Sequence, residues 1–207
     1  SCEDADAGHY VDSTGSDSQT ECALGTYQYQ IGQTSCLDAD AGNYVDTNAS
    51  TTQTECAIGT YQSGTGQSSC NDAEPGHYVD ATGSDSQTEC AVGTYQSQIG
   101  QTSCEDADTG HYVNSTGSDS QTECAVGTYQ SATAQTSCED ADAGHYVDST
   151  GSDSQTECAL GTYQSATAQT SCEDADAGYY VDTNASTTQT ECALGTYQSQ
   201  IGQTSCL

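Results

Sequence analysis

The stretch Cys22-Ala-Leu-Gly-Thr-Tyr-Gln-Tyr-Gln-Ile-Gly-Gln-Thr-Ser-Cys36 decides how this chain is read. Its Gly25-Thr26-Tyr27 centre returns every seventeen residues, through Tyr10, Tyr27, Tyr44 and Tyr61 to Tyr180 and Tyr197, each with a glycine two places before it. A fixed period of this kind marks a repeat architecture. The cysteines keep a different step. They fall at 2, 22, 36, 56, 70, 90, 104, 124, 138, 158, 172, 192 and 206, so the gaps alternate between 20 and 14. The full unit is therefore 34 residues, split into a long half such as 2–21 and a short half such as 22–35.

Both halves run from Gly-x-Tyr through a polar turn region to Gln-Thr-x-Cys. The pattern predicts a short β-hairpin in each half, with one strand around the tyrosine, one around Gln-Thr, and Gly15 or Gly32 near the turn. No apolar helical period is sustained anywhere. The expected fold is all-β with little regular secondary structure: an elongated, disulfide-stapled array of 17-residue hairpin modules. The repeat tyrosines read as packing rings, with Leu24, Ile58 or Val92 and Val11 or Val45 beside them.

Composition supports a stapled array over a globule. The chain has no Phe, Trp, Met, Lys or Arg. Fixing a backbone costs roughly 1–2 kcal/mol per residue, and little apolar area is available to offset it. Thirteen regularly placed cysteines supply the alternative, and they imply an oxidising, extracellular setting. Cys-x-x-Cys pairs of the kind zinc sites use are missing. Spacing alone leaves two neighbour pairings open, across the 14-residue gaps or across the 20-residue gaps.

The net charge of −31 excludes nucleic acid as a partner, because no side chain can neutralise phosphates. Anionic membrane surfaces are disfavoured too, and the segment carries no apolar run for membrane insertion. Cations are the expected counterparts. All 31 acidic residues lie in the long halves, which predicts acidic modules alternating with neutral ones. Asp4, Asp6 and Asp12, spaced around Gly8, make a candidate calcium-ligating set, although Glu74 replaces the Asp6 position in the third unit.

Asn48-Ala-Ser50, Asn114-Ser-Thr116 and Asn184-Ala-Ser186 are N-glycosylation sequons near the tips of long halves. Ser13, Thr14, Thr82, Ser149 and Thr150 occupy comparable tips and are candidates for O-linked sugars. His9, His77, His111 and His145 share their slot with Asn43 and Tyr179, which argues for an exposed strand position over a metal or catalytic role. No nucleophile with a base, phosphate-cradling loop or singular acid pair is present, so the reading is non-enzymatic, with no cofactor required.

Cys22-x-x-Gly25-x-Tyr27, closed by Cys36, resembles the ephrin-receptor-like cysteine-rich repeat and the first sub-module of TNF-receptor cysteine-rich domains. Similar tandem arrays occur in secreted or surface proteins of aquatic microbes. The family pattern is Cys-x-x-Cys-x-x-Gly-x-Tyr, with the second cysteine of one module bonded to the first of the next. Against it, the long half keeps only Cys2 and puts Ala5 at the second position, and the short half keeps only Cys22 and puts Gln19 at the first. Ala5 and Gln19 would have been partners, as would Ala39 and Gln53, Ala73 and Gln87, Ala107 and Gln121, Ala141 and Gln155, and Ala175 and Gln189. The resemblance thus implies Cys22–Cys36, Cys56–Cys70, Cys90–Cys104, Cys124–Cys138, Cys158–Cys172 and Cys192–Cys206, with Cys2 bonded to an upstream unit.

Residues 1–207 read as one continuous array, with units starting at Cys2, Cys36, Cys70, Cys104, Cys138 and Cys172 and a seventh opening at Cys206. Ser1-Cys2-Glu3 has the phase of Ser205-Cys206-Leu207, which suggests a window of a longer repetitive chain. The functional expectation is an extracellular or cell-surface structural protein: a glycosylated filament, stalk or coat that continues in the same chain or associates with itself. The alternative is a calcium-assisted adhesin or the ligand-binding ectodomain of a surface receptor.

Overall fold

The computed structural model describes residues 2–207. The chain divides into two compact units. One holds the residues up to Cys90 with Gln96–Glu105 and Gly117–Asp119; the other holds Ala91–Tyr95, Asp106–Thr116 and Ser120–Leu207. Both are built from one kind of hairpin, and the described residues include no helix.

Strand β1 (His9–Tyr10) pairs antiparallel with β2 (Thr20–Glu21), placing His9 opposite Glu21 and Tyr10 opposite Thr20. Strand β3 (Thr26–Tyr27) pairs with β4 (Leu37–Asp38), placing Thr26 opposite Asp38 and Tyr27 opposite Leu37. The same register returns along the chain in isolated two-stranded sheets. Tyr197 and Leu207 exchange the equivalent backbone bonds, at 3.2 and 2.9 Å.

The long-half hairpin forms where the sequence predicts it. The short-half hairpin does not: its second strand lies beyond Cys36, at Leu37–Asp38, and not at Gln33-Thr34. The reason is competition for a backbone acceptor. The carbonyl of Gln33 takes the N–H of Val11 in the preceding hairpin, at 3.0 Å. Each short-half hairpin therefore straddles a cysteine boundary, and its second strand takes its acidic residue from the long half that follows.

Each hairpin opens on a tight turn. The N–H of His9 bonds the carbonyl of Asp6 at 3.0 Å, and Gly8 between them has φ 82°. A type II turn needs positive φ at this third position, which explains the glycine two places before each tyrosine. A Cβ on Gly8 would also overlap the carbonyl of Ala49, two hairpins further on. The seventeen-residue glycine beat thus follows from a turn and from close backbone packing together.

Successive hairpins are joined by three recurring backbone hydrogen bonds. In the first step Gly8 N–H donates to Gln28 at 2.7 Å, Val11 N–H to Gln33 at 3.0 Å, and Gly32 N–H to Ala5 at 2.8 Å. The same offsets recur at Gly25, Gln28 and Ala49, and at Gly144, Val147 and Ala168. These bonds also explain why the strands stop after two residues, since the next N–H is committed to a neighbouring hairpin.

The core is made of small side chains. Cys22, Ala39, Cys56, Ala73 and their successors are fully buried, with Val45, Val79, Val113, Val147 and Val181 beside them. The tyrosine rings are mostly half-buried. Leu24, Ile58 and Val92, expected against those rings, are instead about half exposed, at 54, 55 and 48 %. Burying a Val side chain contributes about 1.5–3 kcal/mol, so one valine per 34 residues is a modest apolar term. Covalent bridges and backbone bonds do the remaining work of holding the hairpins together.

Candidate functional site

The structure contains the disulfides Cys22–Cys36, Cys56–Cys70, Cys90–Cys104, Cys124–Cys138, Cys158–Cys172 and Cys192–Cys206, which is the pairing the family resemblance implies. Their Cα atoms stand 5.7–5.8 Å apart, within the ordinary range for an unstrained bridge. Cys22 is fully buried and Cys36 is half-buried. Cys2 is exposed and free.

At the alternate positions, where the family pattern would place a second bridge, Ala5, Ala39, Ala73, Ala107, Ala141 and Ala175 fill the buried sites that the cysteines fill elsewhere. Each glutamine across from them makes a two-point clasp. The Gln53 side-chain carbonyl accepts the backbone N–H of Asp40 at 2.7 Å, and its amide donates to the Asp40 carboxylate at 2.7 Å. Gln19 grips Asp6 in the same way at 2.8 and 2.8 Å, and Gln189 grips Asp176 at 2.7 and 2.7 Å. In the third unit Gln87 holds Glu74, with the amide-to-carboxylate bond at 3.2 Å. A hydrogen-bonded pair thirteen residues apart stands where a covalent pair fourteen apart stands in the other half. The sequence carried a trace of this, because the position thirteen before each of these glutamines is always acidic.

A second glutamine series was not anticipated. Gln28, Gln62, Gln96, Gln130, Gln164 and Gln198 are 3–8 % exposed, at the position valine takes after the tyrosine in long halves. The Gln28 amide donates to the Ser35 carbonyl at 3.0 Å, and its side-chain carbonyl accepts from Gln30 N–H at 3.0 Å. Buried amides of this kind are tolerated only when both ends are satisfied. Among the described residues no buried side-chain polar atom lacks a partner.

The acidic residues take two roles. Asp6 is occupied by its clasp. Asp4 is exposed and lies against Gly32 of the next hairpin, and Asp12 is exposed. The structure does not gather Asp4, Asp6 and Asp12; among the described residues no three His, Cys, Asp or Glu side chains come together to hold a metal ion. One carboxylate does recur in a constant place. Asp4, Glu21, Asp38, Glu55, Asp72 and Glu89 begin a seventeen-residue acidic beat that continues to Glu191. From Glu21 on it closes the second strand of each hairpin. Dividing the sequence at its cysteines hides this beat, because Glu21 stands just before one cysteine and Asp38 just after another.

His9, His77, His111 and His145 are half-buried on the first strands, each directly opposite a glutamate, as His77 is to Glu89 and His145 to Glu157. Three phenols in short-half hairpins, those of Tyr27, Tyr129 and Tyr163, have raised pKa values. Loss of water around Tyr129 is the main cause, and the carboxylates of Glu139 and Asp142 add to it. Tyr163 follows the same logic with Glu173 and Asp176, and Tyr27 with Asp40 and Tyr29.

Asn48, Asn114, Asn184, Ser13, Thr14, Thr82, Ser149 and Thr150 are all exposed. Asn48 and Asn184 sit in the tip turn beside Ala49 and Ala185, whose φ values are 53° and 54°. A shallow, open depression of about 460 Å³ lies at the tip around Asp148, Ser149, Thr150 and Asp153. Its lining is largely hydroxyl and carboxylate.

No helix of the described residues is long and apolar enough to cross a membrane. No curated protein matches the chain. The family model described as tyrosine-protein kinase ephrin type A/B receptor-like matches residues 8–56, 76–124 and 110–158, in tandem and across most of the chain. Those matches span both halves of the 34-residue unit and include its bridges and its Gly-x-Tyr turns. Such disulfide-rich repeats fit an extracellular domain and point to a non-catalytic structural module. On these grounds the chain belongs to the ephrin-receptor-like family of cysteine-rich repeats.

Proposed function

We propose that this chain is a structural extracellular repeat: a stretch of filament, stalk or surface coat whose exposed tips carry sugars. The observation that carries this reading is the sameness of the junctions. Three backbone bonds with the same offsets recur from hairpin to hairpin along the described residues. A receptor surface for one ligand needs local variation; a structural repeat needs only a neighbour like itself. The tips are exposed and lined with hydroxyls, and the three sequon asparagines are accessible there.

The decisive experiment is immunogold electron microscopy of native material with an antibody to this chain, combined with glycopeptide mapping. Label along fibres or a surface layer, with glycan mass on Asn48, Asn114 or Asn184, supports the proposal. Label confined to discrete particles, or unmodified asparagines, counts against the filament or the glycan respectively. The competing reading, a calcium-assisted adhesin, draws on the carboxylate that each hairpin presents. Calorimetric titration with calcium chloride separates the two, because saturable heat favours the adhesin and its absence leaves a polyanion with diffuse counter-ions.

A further inference from the structure

The two kinds of junction differ in what tension along the chain can do to them. At Cys22–Cys36 the covalent path crosses from Cα to Cα in 5.7 Å, so residues 23–35 hang off that path and cannot be drawn out. Between Cys36 and Cys56 there is no shortcut. That segment folds back on itself as the Asn43–Tyr44 and Thr54–Glu55 hairpin and is closed only by hydrogen bonds. These are the Gln53–Asp40 clasp, at 2.7 and 2.7 Å, and the backbone bonds to neighbouring hairpins, such as Gly42 N–H to Gln62 at 2.7 Å and Val45 N–H to Gln67 at 3.0 Å.

We propose that the repeat is a force-extensible element, with long segments that open under tension and short loops that stay locked. The proposal rests on the structural reading above and adds a mechanical task to it. A segment from 36 to 56 pays out at most about 70 Å of chain when it opens, at roughly 3.5 Å per residue, less the distance its ends already span when folded. That release relaxes the tension on neighbouring segments, so opening proceeds one segment at a time. Reclosing is guided, because the locked loop 22–36 keeps Thr26–Tyr27, the partner strand of Leu37–Asp38, in place at the edge of the opened segment. The clasp suits such a segment. A pair of hydrogen bonds breaks and re-forms without chemistry, whereas a disulfide at Ala39 and Gln53 would make the segment inextensible.

Single-molecule force spectroscopy on the full oxidised chain, held by handles at its two ends, tests this. The expected trace is a series of increments of at most about 70 Å that recur after relaxation, rising toward a ceiling of about 120 Å per unit in reductant as the bridged loops are freed. The double substitution Ala39→Cys with Gln53→Cys, oxidised, is expected to remove one increment. Gln53→Ala is expected to keep all increments and lower the force of one. Increments above about 70 Å before reduction, rupture of the whole chain in a single event, or an unchanged count in the double-cysteine variant would overturn the proposal. Electron microscopy that finds no filament, stalk or coat would sink the structural reading and leave these mechanics standing, so the two failures are distinguishable.

Discussion

The junction closed by Cys22–Cys36 and the junction closed by Gln53 on Asp40 have the same shape and different chemistry. Both set a buried small residue, Cys22 or Ala39, against a residue fourteen places later, and both lead into a hairpin of the same register. One is covalent, and the other is a pair of 2.7 Å hydrogen bonds at the surface. Hairpin geometry therefore does not depend on the disulfide at each junction. The backbone bonds between neighbours set it, and the bridge determines how firmly it is held.

The sharpest way to break the comparison is to remove the covalent partner everywhere. Full reduction is expected to collapse the ordered structure, because each bridge closing a loop of about 15 residues contributes roughly 3 kcal/mol in the chain-entropy model. Far-ultraviolet circular dichroism retained after reduction would show that the clasp and backbone bonds suffice alone. Making the two junctions alike comes next. Ala39→Cys with Gln53→Cys is expected to form a bridge and raise stability by up to about 3 kcal/mol, read as a higher denaturant midpoint; failure to oxidise would mean the register differs between the halves.

Weakening the clasp is expected to have a smaller effect. Gln53→Ala should cost about 1–2 kcal/mol, since a neutral and a charge-assisted hydrogen bond are lost at an exposed site. A change within error would mean that water replaces the amide fully. The tip supplies a smaller contrast still. Ala134 and Ala168 adopt φ 59° and 58° where most other tips have glycine. Ala134→Gly should therefore stabilise by less than about 1 kcal/mol, as relief of left-handed strain outweighs the added freedom of the unfolded chain.

Raising the pH probes the hairpins beside the bridges with no mutation. Tyr129 and Tyr163 hold their protons above the ordinary phenol value of 10.0 in the folded state, so the folded form binds more protons as the pH rises past that value. Stability is then expected to fall through that window and to be unaffected below it. Spectrophotometric titration of the native and reduced chains measures the difference directly, and coincident curves would remove the effect.

What was legible in the sequence was whatever leaves a side-chain signature at fixed spacing. Glycines at 8, 25 and 42 announce turns that need positive φ, tyrosines at 10, 27 and 44 announce first strands, and the absence of a helical period removes helices. The bridge pairing was legible through the family resemblance, because Ala5 and Gln19 are missing as partners. The Gln53–Asp40 clasp left one sign, an acidic residue thirteen places before each glutamine. The second strand at Leu37–Asp38 and the half-exposed Leu24 row depend on contacts that local pattern does not encode.

Residue type and spacing suffice for the period, the turns, the acidic character and the chemistry of the bridges. Tertiary structure alone decided where each hairpin ends and what stands in for the lost cysteines. Every peptide group donates and accepts alike. Which carbonyl satisfies the N–H of Val11, one in its own hairpin or that of Gln33 in the next, is therefore settled only when the two hairpins lie side by side.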